Sequence, residues 1–209
     1  MRRATRNAFI AVVFFLLFPS LMLLDRQYGG HLRRYIERSA YADADFQKYH
    51  RKTFTVLKVI DGDTLDINIP DGQHEDTRIR LIGVDTPETK HPTIGKMYYG
   101  PEATDYTTQQ ALGKQVTVLL DTVGDQRDRY GRLLAYVVLL DGRVLNAELI
   151  KNGYGYAYLN FPHSEFVTYQ LLMEQAIAQK RGLWQNAARD DLPKWLRSKC
   201  PEILRSGAK

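Results

Sequence analysis

Apolar and polar residues alternate most regularly between residues 53 and 84. Three segments in this region are rich in β-branched residues and predict strands: Phe54–Ile60, Thr64–Ile69 and Thr77–Val84. The Asp71-Gly72 pair between the second and third segments is typical of a hairpin turn. The pattern therefore predicts a three-stranded meander.

The following hundred residues predict two more strands and three helices. Gly100-Pro101 begins a helix that ends at Gly113, because proline is tolerated in the first turn. The predicted strands and helices are Gln115–Leu120 and Leu133–Leu140, and Gly100–Leu112, Leu145–Asn152 and Glu165–Lys180. Five strands with one inserted helix and further helices behind them predict an α+β fold, in which a five-stranded Greek-key barrel of the oligonucleotide-binding (OB) type carries about three packed helices.

An uncharged apolar run, residues 8–24, follows three arginines at the N-terminus. Such a run is either a short membrane anchor or the apolar region of a signal peptide. No small-x-small cleavage site follows closely, which favours an uncleaved anchor. Arginines flank both sides of the run, so the orientation rule for membrane segments gives no answer. The sequence thus predicts an N-terminal hydrophobic helix tied to a membrane.

The other boundaries follow from composition. Residues 25–50 are charged and predict a polar stalk, residues 51–190 carry the strands and helices of one domain, and residues 191–209 read as a basic, solvated tail. The net charge of +5 favours an anionic partner without identifying one. Cys200 is the only cysteine, which excludes an intrachain disulfide and a thiolate metal cluster.

Charged residues concentrate in three short blocks at strand ends. The first, Asp61-Gly62-Asp63-Thr64, places two carboxylates around a glycine, and clustered oxygens are what a hard cation such as Ca²⁺ prefers. Taken alone, this block favours a simple β-turn over a metal site. The second, residues 80–89, holds an arginine on a strand and two carboxylates at or past its end, which can aim all three at one phosphate. The third, residues 128–132, offers two arginine forks to phosphate oxygens.

In this order the three blocks resemble those of the staphylococcal nuclease family, over roughly residues 53–186. The resemblance implies a Ca²⁺ site formed by the carboxylates of Asp63 and Asp85 and the backbone carbonyl of Thr86. It places Asp61 close by, in an outer or water-mediated role.

The resemblance also implies the catalytic residues. Arg80 and Arg132 would stabilise charge on the phosphate, and Glu88 would align or deprotonate the attacking water. Substrate contacts would come from Arg129 and Tyr130, and base stacking from Tyr156 and Tyr158. Alternating tyrosines in such a segment are equally typical of a core or its rim.

The resemblance implies a Ca²⁺-dependent endonuclease that hydrolyses DNA and RNA with low sequence specificity and leaves 3′-phosphate ends. The expected protein is a monomeric domain that is membrane-anchored or exported, with the nuclease domain outside the cytoplasm. The alternative is a catalytically weak OB-fold module that binds nucleic acid or protein at a membrane. Retention of every arginine and carboxylate in the three blocks favours the enzyme.

Overall fold

The computed structural model describes residues 42–89 and 96–200. The chain divides into two units, residues 1–47 and 48–209. In the first unit, residues 42–47 are helical. The predicted anchor, residues 8–24, lies outside the described residues. Among the helices that the structure does describe, none combines the length and the apolar character needed to cross a membrane.

Five strands of the second unit form a closed barrel. They are β1 (Lys52–Asp61), β2 (Thr64–Ile67), β3 (Thr77–Leu81), β5 (Gln115–Leu119) and β6 (Leu133–Val138). Their order around the barrel is β1-β2-β3-β6-β5, and every pair is antiparallel except β3 with β6. The core residues Leu65, Ile79 and Leu133 are completely buried, as strand alternation requires. The predicted five-stranded barrel and its α+β class are confirmed.

A second, two-stranded sheet lies outside the barrel. It pairs β4 (Val84–Asp85) with β7 (Tyr156–Ala157), and Asp85 lies opposite Tyr156. The sequence did not predict this pair, because two residues are too few to show alternation. The pair brings the segment after β3 next to a segment some seventy positions further along the chain.

Helices surround the barrel. They are α1 (Gly100–Ala111), α2 (Leu145–Lys151), α3 (Phe166–Ala178) and α4 (Lys194–Lys199), with 3₁₀ turns at Gly182–Gln185 and Arg189–Asp191. Proline occupies the first turn of α1, as predicted. On the buried face of α1, the Thr107 hydroxyl donates a 2.6 Å hydrogen bond to the Gly62 carbonyl, which fixes the helix against the turn between β1 and β2.

A buried asparagine fixes α2 to the barrel. The side chain of Asn146 donates to the carbonyls of Ile82 and Ala135, at 2.9 and 3.1 Å, and accepts the Val137 N–H at 3.0 Å. Asn146 is fully buried, so its amide group cannot bond to water and depends on these three hydrogen bonds. The bond to Ile82 holds the chain directly after β3.

Two predicted boundaries need correction. Tyr49 falls in the predicted stalk, yet it is fully buried in the second unit and its hydroxyl lies 3.0 Å from that of Thr77. The predicted tail from residue 191 is folded as far as residue 200. Leu192, just before α4, and Leu196, within it, are 3% and 1% exposed, so these two apolar side chains pack the segment onto the domain.

Candidate active site

The turn between β1 and β2 meets the turn after β4. The backbone N–H of Thr86 donates a 2.8 Å hydrogen bond to Oδ2 of Asp63. A side chain on Gly62 would place its Cβ 2.7 Å from Oγ1 of Thr86, so only glycine permits this approach. Two of the three sequence blocks are therefore joined through buried, specific contacts.

Arg80, on β3, lies between two acidic side chains. Its Nη1 is 2.9 Å from Oδ2 of Asp63, and its Nη2 is 2.8 Å from Oδ1 of Asp85. Nη1 also donates to the carbonyls of Val84 and Leu81, at 2.7 and 3.2 Å. The arginine side chain is 14% exposed. This set of acceptors holds the guanidinium in one position and one orientation.

The site carries more negative than positive charge. Burial, followed by the charges of Asp63 and Glu88, raises the pKa of Asp61 to about 7. Burial also raises the pKa of Asp85 to about 6, although Arg80 opposes this shift. Burial disfavours the charge of Arg80, but the four surrounding carboxylates offset it and raise the pKa of Arg80 above its usual range. One arginine is thus shared by four acidic side chains.

Glu88 is exposed at the edge of this cluster. Its backbone carbonyl accepts a 2.9 Å hydrogen bond from the N–H of Met97. A side chain on Gly100 would place its Cβ 2.9 Å from the same carbonyl, so the start of α1 packs closely against the Glu88 backbone. Its side chain is exposed, so it is accessible to water and to a substrate.

The predicted Ca²⁺ ligands come together around Arg80. Within residues 42–89 and 96–200, no group of three or more His, Cys, Asp or Glu side chains is arranged as a metal site. Asp63 and Asp85 instead both contact the guanidinium. The donor chemistry still fits a hard cation, because buried carboxylates whose pKa values are raised by burial and mutual repulsion are stabilised by a nearby dication.

Arg132 belongs to a separate local cluster directly before β6. Its Nε donates to Oδ2 of Asp128 at 2.7 Å, and its backbone N–H donates to Oδ1 at 3.0 Å. The parallel register of β3 and β6 places Leu134 opposite Arg80, so Arg132 lies two positions before the partner of Arg80. None of the described contacts joins Arg132 to Arg80 or Glu88. Its catalytic role stays a prediction.

Arg129 and Tyr130 form the exposed tip of the same loop. Tyr130 is 68% exposed, and the Arg129 guanidinium lies 4.7 Å from the centre of its ring. Nη2 of Arg129 also donates to the Tyr130 hydroxyl at 2.5 Å. An exposed cation on an aromatic ring is accessible to a phosphate, as the predicted substrate contact requires.

The two predicted stacking tyrosines differ. Tyr156 is 1% exposed, and its ring packs edge-on against Trp184 and Trp195, so it has no face for a substrate base. Tyr156 is corrected to a core residue. Tyr158 is half-buried, with Phe161 and Trp195 as ring neighbours. Tyr158 alone of the two retains accessible surface.

One site contact was missed by the sequence reading. Nε1 of Trp195 donates a 3.0 Å hydrogen bond to Oδ2 of Asp85, across 110 positions in the sequence. Trp195 lies in the segment predicted to be a tail. A single tryptophan after a proline carries no signal for such a contact, because the contact depends on how α4 folds back.

The chain is similar in sequence to several known proteins. A family model described as "Staphylococcal nuclease homologue" matches residues 78–186. The chain is 36% identical over 154 residues to the thermonuclease of Staphylococcus hyicus, covering 72% of this chain and 86% of that protein. It is 41% identical over 134 residues to the thermonuclease of Staphylococcus intermedius, covering 63% and 74%. It is 35% identical over 141 residues to an uncharacterized endonuclease of Escherichia coli, covering 68% and 81%.

Proposed function

The chain belongs to the staphylococcal nuclease family, and we propose on that premise that it is a Ca²⁺-dependent endonuclease. As a nuclease it hydrolyses phosphodiester bonds. The proposed substrates are DNA and RNA, cut with low sequence specificity to leave 3′-phosphate ends.

The observation that carries this proposal is the position of Arg80. Its guanidinium is held by Asp63 and Asp85 and lies among four carboxylates in a largely buried site. A fixed, always-charged fork at the edge of a barrel is suited to a phosphate whose negative charge grows during the reaction. A site that served only for packing would not need buried charges in excess.

The surroundings of each side chain support its proposed role. Arg80 would bind a non-bridging phosphate oxygen, with no reorganisation needed because its carbonyl and carboxylate partners already orient it. Glu88, exposed beside the cluster, would accept a proton from the attacking water or align it. Arg132 would add a second guanidinium once its pairing with Asp128 is exchanged for phosphate.

Asp63, Asp85 and the Thr86 carbonyl would hold the cation, with Asp61 beside them. Bound Ca²⁺ supplies Lewis-acid stabilisation of phosphate charge and orients water. The protein's own contribution is the carboxylate cluster, which stays close together because Thr86 and Arg80 bind Asp63 from two sides.

The test is cleavage of end-labelled single-stranded DNA, double-stranded DNA and RNA by the purified protein, with Ca²⁺ or with chelator. Cleavage that requires Ca²⁺, with products that a polymerase extends only after phosphatase treatment, is the expected result. Glu88→Gln should lose most of the activity, whereas Glu102→Gln, an exposed carboxylate in the first turn of α1, should keep it. Binding without cleavage under every metal would favour the OB-fold binding module instead.

The membrane anchor and the location are separate proposals. Residues 8–24 would tether the protein as a single-pass anchor, with the nuclease domain outside the cytoplasm as a monomer. Extracellular Ca²⁺ modules tolerate affinities of roughly 10⁻⁴–10⁻³ M because the ion is abundant there. Membrane fractionation, protease accessibility in intact cells and light scattering of the purified protein test these points. Recovery of the protein in the soluble cytoplasmic fraction would contradict the anchor and the location outside the cytoplasm.

A further inference from the structure

We infer that Trp195 is a positioning residue for the nuclease reaction, whose indole N–H orients the Asp85 carboxylate for the cation and for Arg80. The inference rests on the proposed function, because it assigns Asp85 to the Ca²⁺ site. It also makes α4, beyond the stretch matched by the family model, part of the catalytic apparatus.

The two oxygens of Asp85 have different partners. Oδ1 faces Nη2 of Arg80 at 2.8 Å, and Oδ2 accepts the indole N–H of Trp195 at 3.0 Å. A carboxylate held at both oxygens cannot rotate about its last bond without breaking one of these contacts. Outer partners of this kind fix the orientation of metal-ligating side chains, and their loss commonly weakens metal binding.

Trp195 is itself held rigidly. Leu192, just before α4, and Leu196, next to Trp195 in α4, are both buried and anchor this segment on the domain. Its ring packs edge-on against Tyr158 at 5.1 Å and against Tyr156 at 6.3 Å. An indole with this packing presents its N–H in one direction, toward Asp85.

The same helix supports the candidate base-stacking residue. Nζ of Lys199, at the end of α4, donates a 2.6 Å hydrogen bond to the Leu159 carbonyl, next to Tyr158. Tyr158 therefore meets α4 through its ring and through its neighbouring backbone. The indole N–H of Trp195 thus contacts Asp85, whereas its ring contacts Tyr158. A substitution that removes only the N–H can separate the two contacts.

Trp195→Phe removes the N–H and keeps an aromatic ring. Trp184→Phe is the matched control: Trp184 also packs edge-on against Tyr156, but its buried Nε1 has no hydrogen-bond partner among the described residues. Calorimetric titration with Ca²⁺, thermal unfolding in chelator and the KM for single-stranded DNA are measured for both variants and the wild type.

We expect Trp195→Phe to weaken Ca²⁺ binding by about 10-fold or more, the usual scale for losing an outer partner of a ligand. The KM for single-stranded DNA, measured at saturating Ca²⁺, should stay close to that of the wild type, because an aromatic ring remains beside Tyr158. Trp184→Phe should leave the Ca²⁺ affinity unchanged. In that variant Trp195 is the only tryptophan, and its fluorescence should change as Ca²⁺ is added.

Equal Ca²⁺ affinity in Trp195→Phe and the wild type would overturn the inference and leave the proposed function intact. Equal losses of Ca²⁺ affinity in both variants, in step with lowered unfolding temperatures, would also overturn it, because a general packing defect would explain them. Absence of Ca²⁺ binding by the wild type would overturn the proposed metal site and this inference together.

Discussion

The backbone N–H of Thr86 donates to Oδ2 of Asp63, and this 2.8 Å bond joins the β1–β2 turn to the turn after β4. Asp63 and Thr86 are 5% and 4% exposed, so water cannot replace the bond. The same oxygen also contacts Nη1 of Arg80. Asp63 therefore has a structural role that is separable from any role as a metal ligand.

Comparing Asp63→Asn with Asp63→Ala separates these roles. Both changes remove the charge, but asparagine can still accept the Thr86 N–H. We expect Asp63→Ala to be less stable than Asp63→Asn by about 1–3 kcal/mol, the cost of a buried donor left unpaired. Urea unfolding in chelator measures the difference, and protection of the Thr86 amide from hydrogen exchange locates it. Both variants should lose Ca²⁺-dependent activity; equal stabilities would show that the hydrogen bond is unimportant.

Arg80→Lys tests the guanidinium. A lysine cannot contact two carboxylates and two carbonyls at once, so we expect cleavage to slow by at least about 10²–10³-fold, the scale for deleting a donor that stabilises transition-state charge. Arg78→Lys, on the same strand, is the control. It breaks a bidentate pair with Asp66 outside the site and should leave kcat near the wild-type value. Near-wild-type cleavage by Arg80→Lys would contradict its role.

Local sequence patterns predicted the barrel but not everything that completes the site. Alternation of apolar residues and glycine or proline at turns are local signals, and they identified the five strands and the three larger helices. Two contacts between distant segments complete the site. One is the short strand pair that sets Asp85 opposite Tyr156, and the other is the single hydrogen bond from Trp195 to Asp85. The periodicity of apolar residues along the chain cannot predict such contacts.

The correction at Tyr156 has the same cause. The sequence shows Tyr154, Tyr156 and Tyr158 as equivalent alternating aromatics. In the structure Tyr156 is 1% exposed and packs against Trp184 and Trp195, whereas Tyr154 and Tyr158 are only half-buried. Part of that cover comes from Trp195 on α4, a helix that the sequence pattern did not predict.

Tyr158 and Tyr156 should therefore respond differently to truncation. Tyr158→Ala should raise the KM for single-stranded DNA, because stacking on one aromatic ring contributes about 1–3 kcal/mol per base. Tyr158→Phe keeps the aromatic ring and should have a KM close to that of the wild type. Tyr156→Ala should mainly lower the free energy of unfolding, by about 3–5 kcal/mol as for other large aromatics removed from a core. Steady-state kinetics and urea unfolding distinguish the two, and an unchanged KM in Tyr158→Ala would remove Tyr158 from the binding surface.

Ca²⁺ should stabilise the folded protein. The carboxylates around Arg80 repel one another, and a cation that binds only the folded state adds RT ln(1 + [Ca²⁺]/Kd) to the free energy of unfolding. At 100 times Kd this is about 2.7 kcal/mol. Thermal unfolding at increasing Ca²⁺ concentration measures the effect, and chelator should reverse it. The unfolding temperature of Asp85→Asn should rise much less with Ca²⁺ than that of the control variant Asp141→Asn. The control alters an exposed carboxylate paired with Arg143. A Ca²⁺-independent unfolding temperature in the wild type would contradict a site in the folded domain.

Acid should destabilise the domain through a buried network outside the three blocks. Asp121 accepts four hydrogen bonds, from the N–H groups of Val123 and Ser164 and from the hydroxyls of Ser164 and Tyr136. Because the Tyr136 proton goes to Asp121, Nδ1 of His163, 3.0 Å from the Tyr136 oxygen, must be the donor in that pair. The network joins the chain after β5 to the loop before α3.

The pKa shifts in this network set the pH range. Burial lowers the pKa of His163 below 6.5. As the pH drops, the imidazole of His163 is therefore protonated in the unfolded chain before it is protonated in the folded protein, and the free energy of unfolding falls below about pH 6.5. Burial opposes ionisation of Asp121, but the donors, chiefly Ser164, lower its pKa below 3.8. Its stabilising contribution is therefore complete above pH 3.8 and is lost as the pH falls through the lower, folded-state value.

Asp121→Asn tests the carboxylate in this network. Asparagine offers one acceptor oxygen in place of two, so at pH 7 the variant should lose at least about 2 kcal/mol of unfolding free energy. The difference from the wild type should shrink as the pH falls below 3.8 toward the folded-state pKa of Asp121, because the wild-type carboxylate loses its contribution over that range. Urea unfolding from pH 7 to pH 3 measures both effects. A difference that stays constant over this range would mean that the charge of Asp121 does not contribute, and that the network is held by geometry alone.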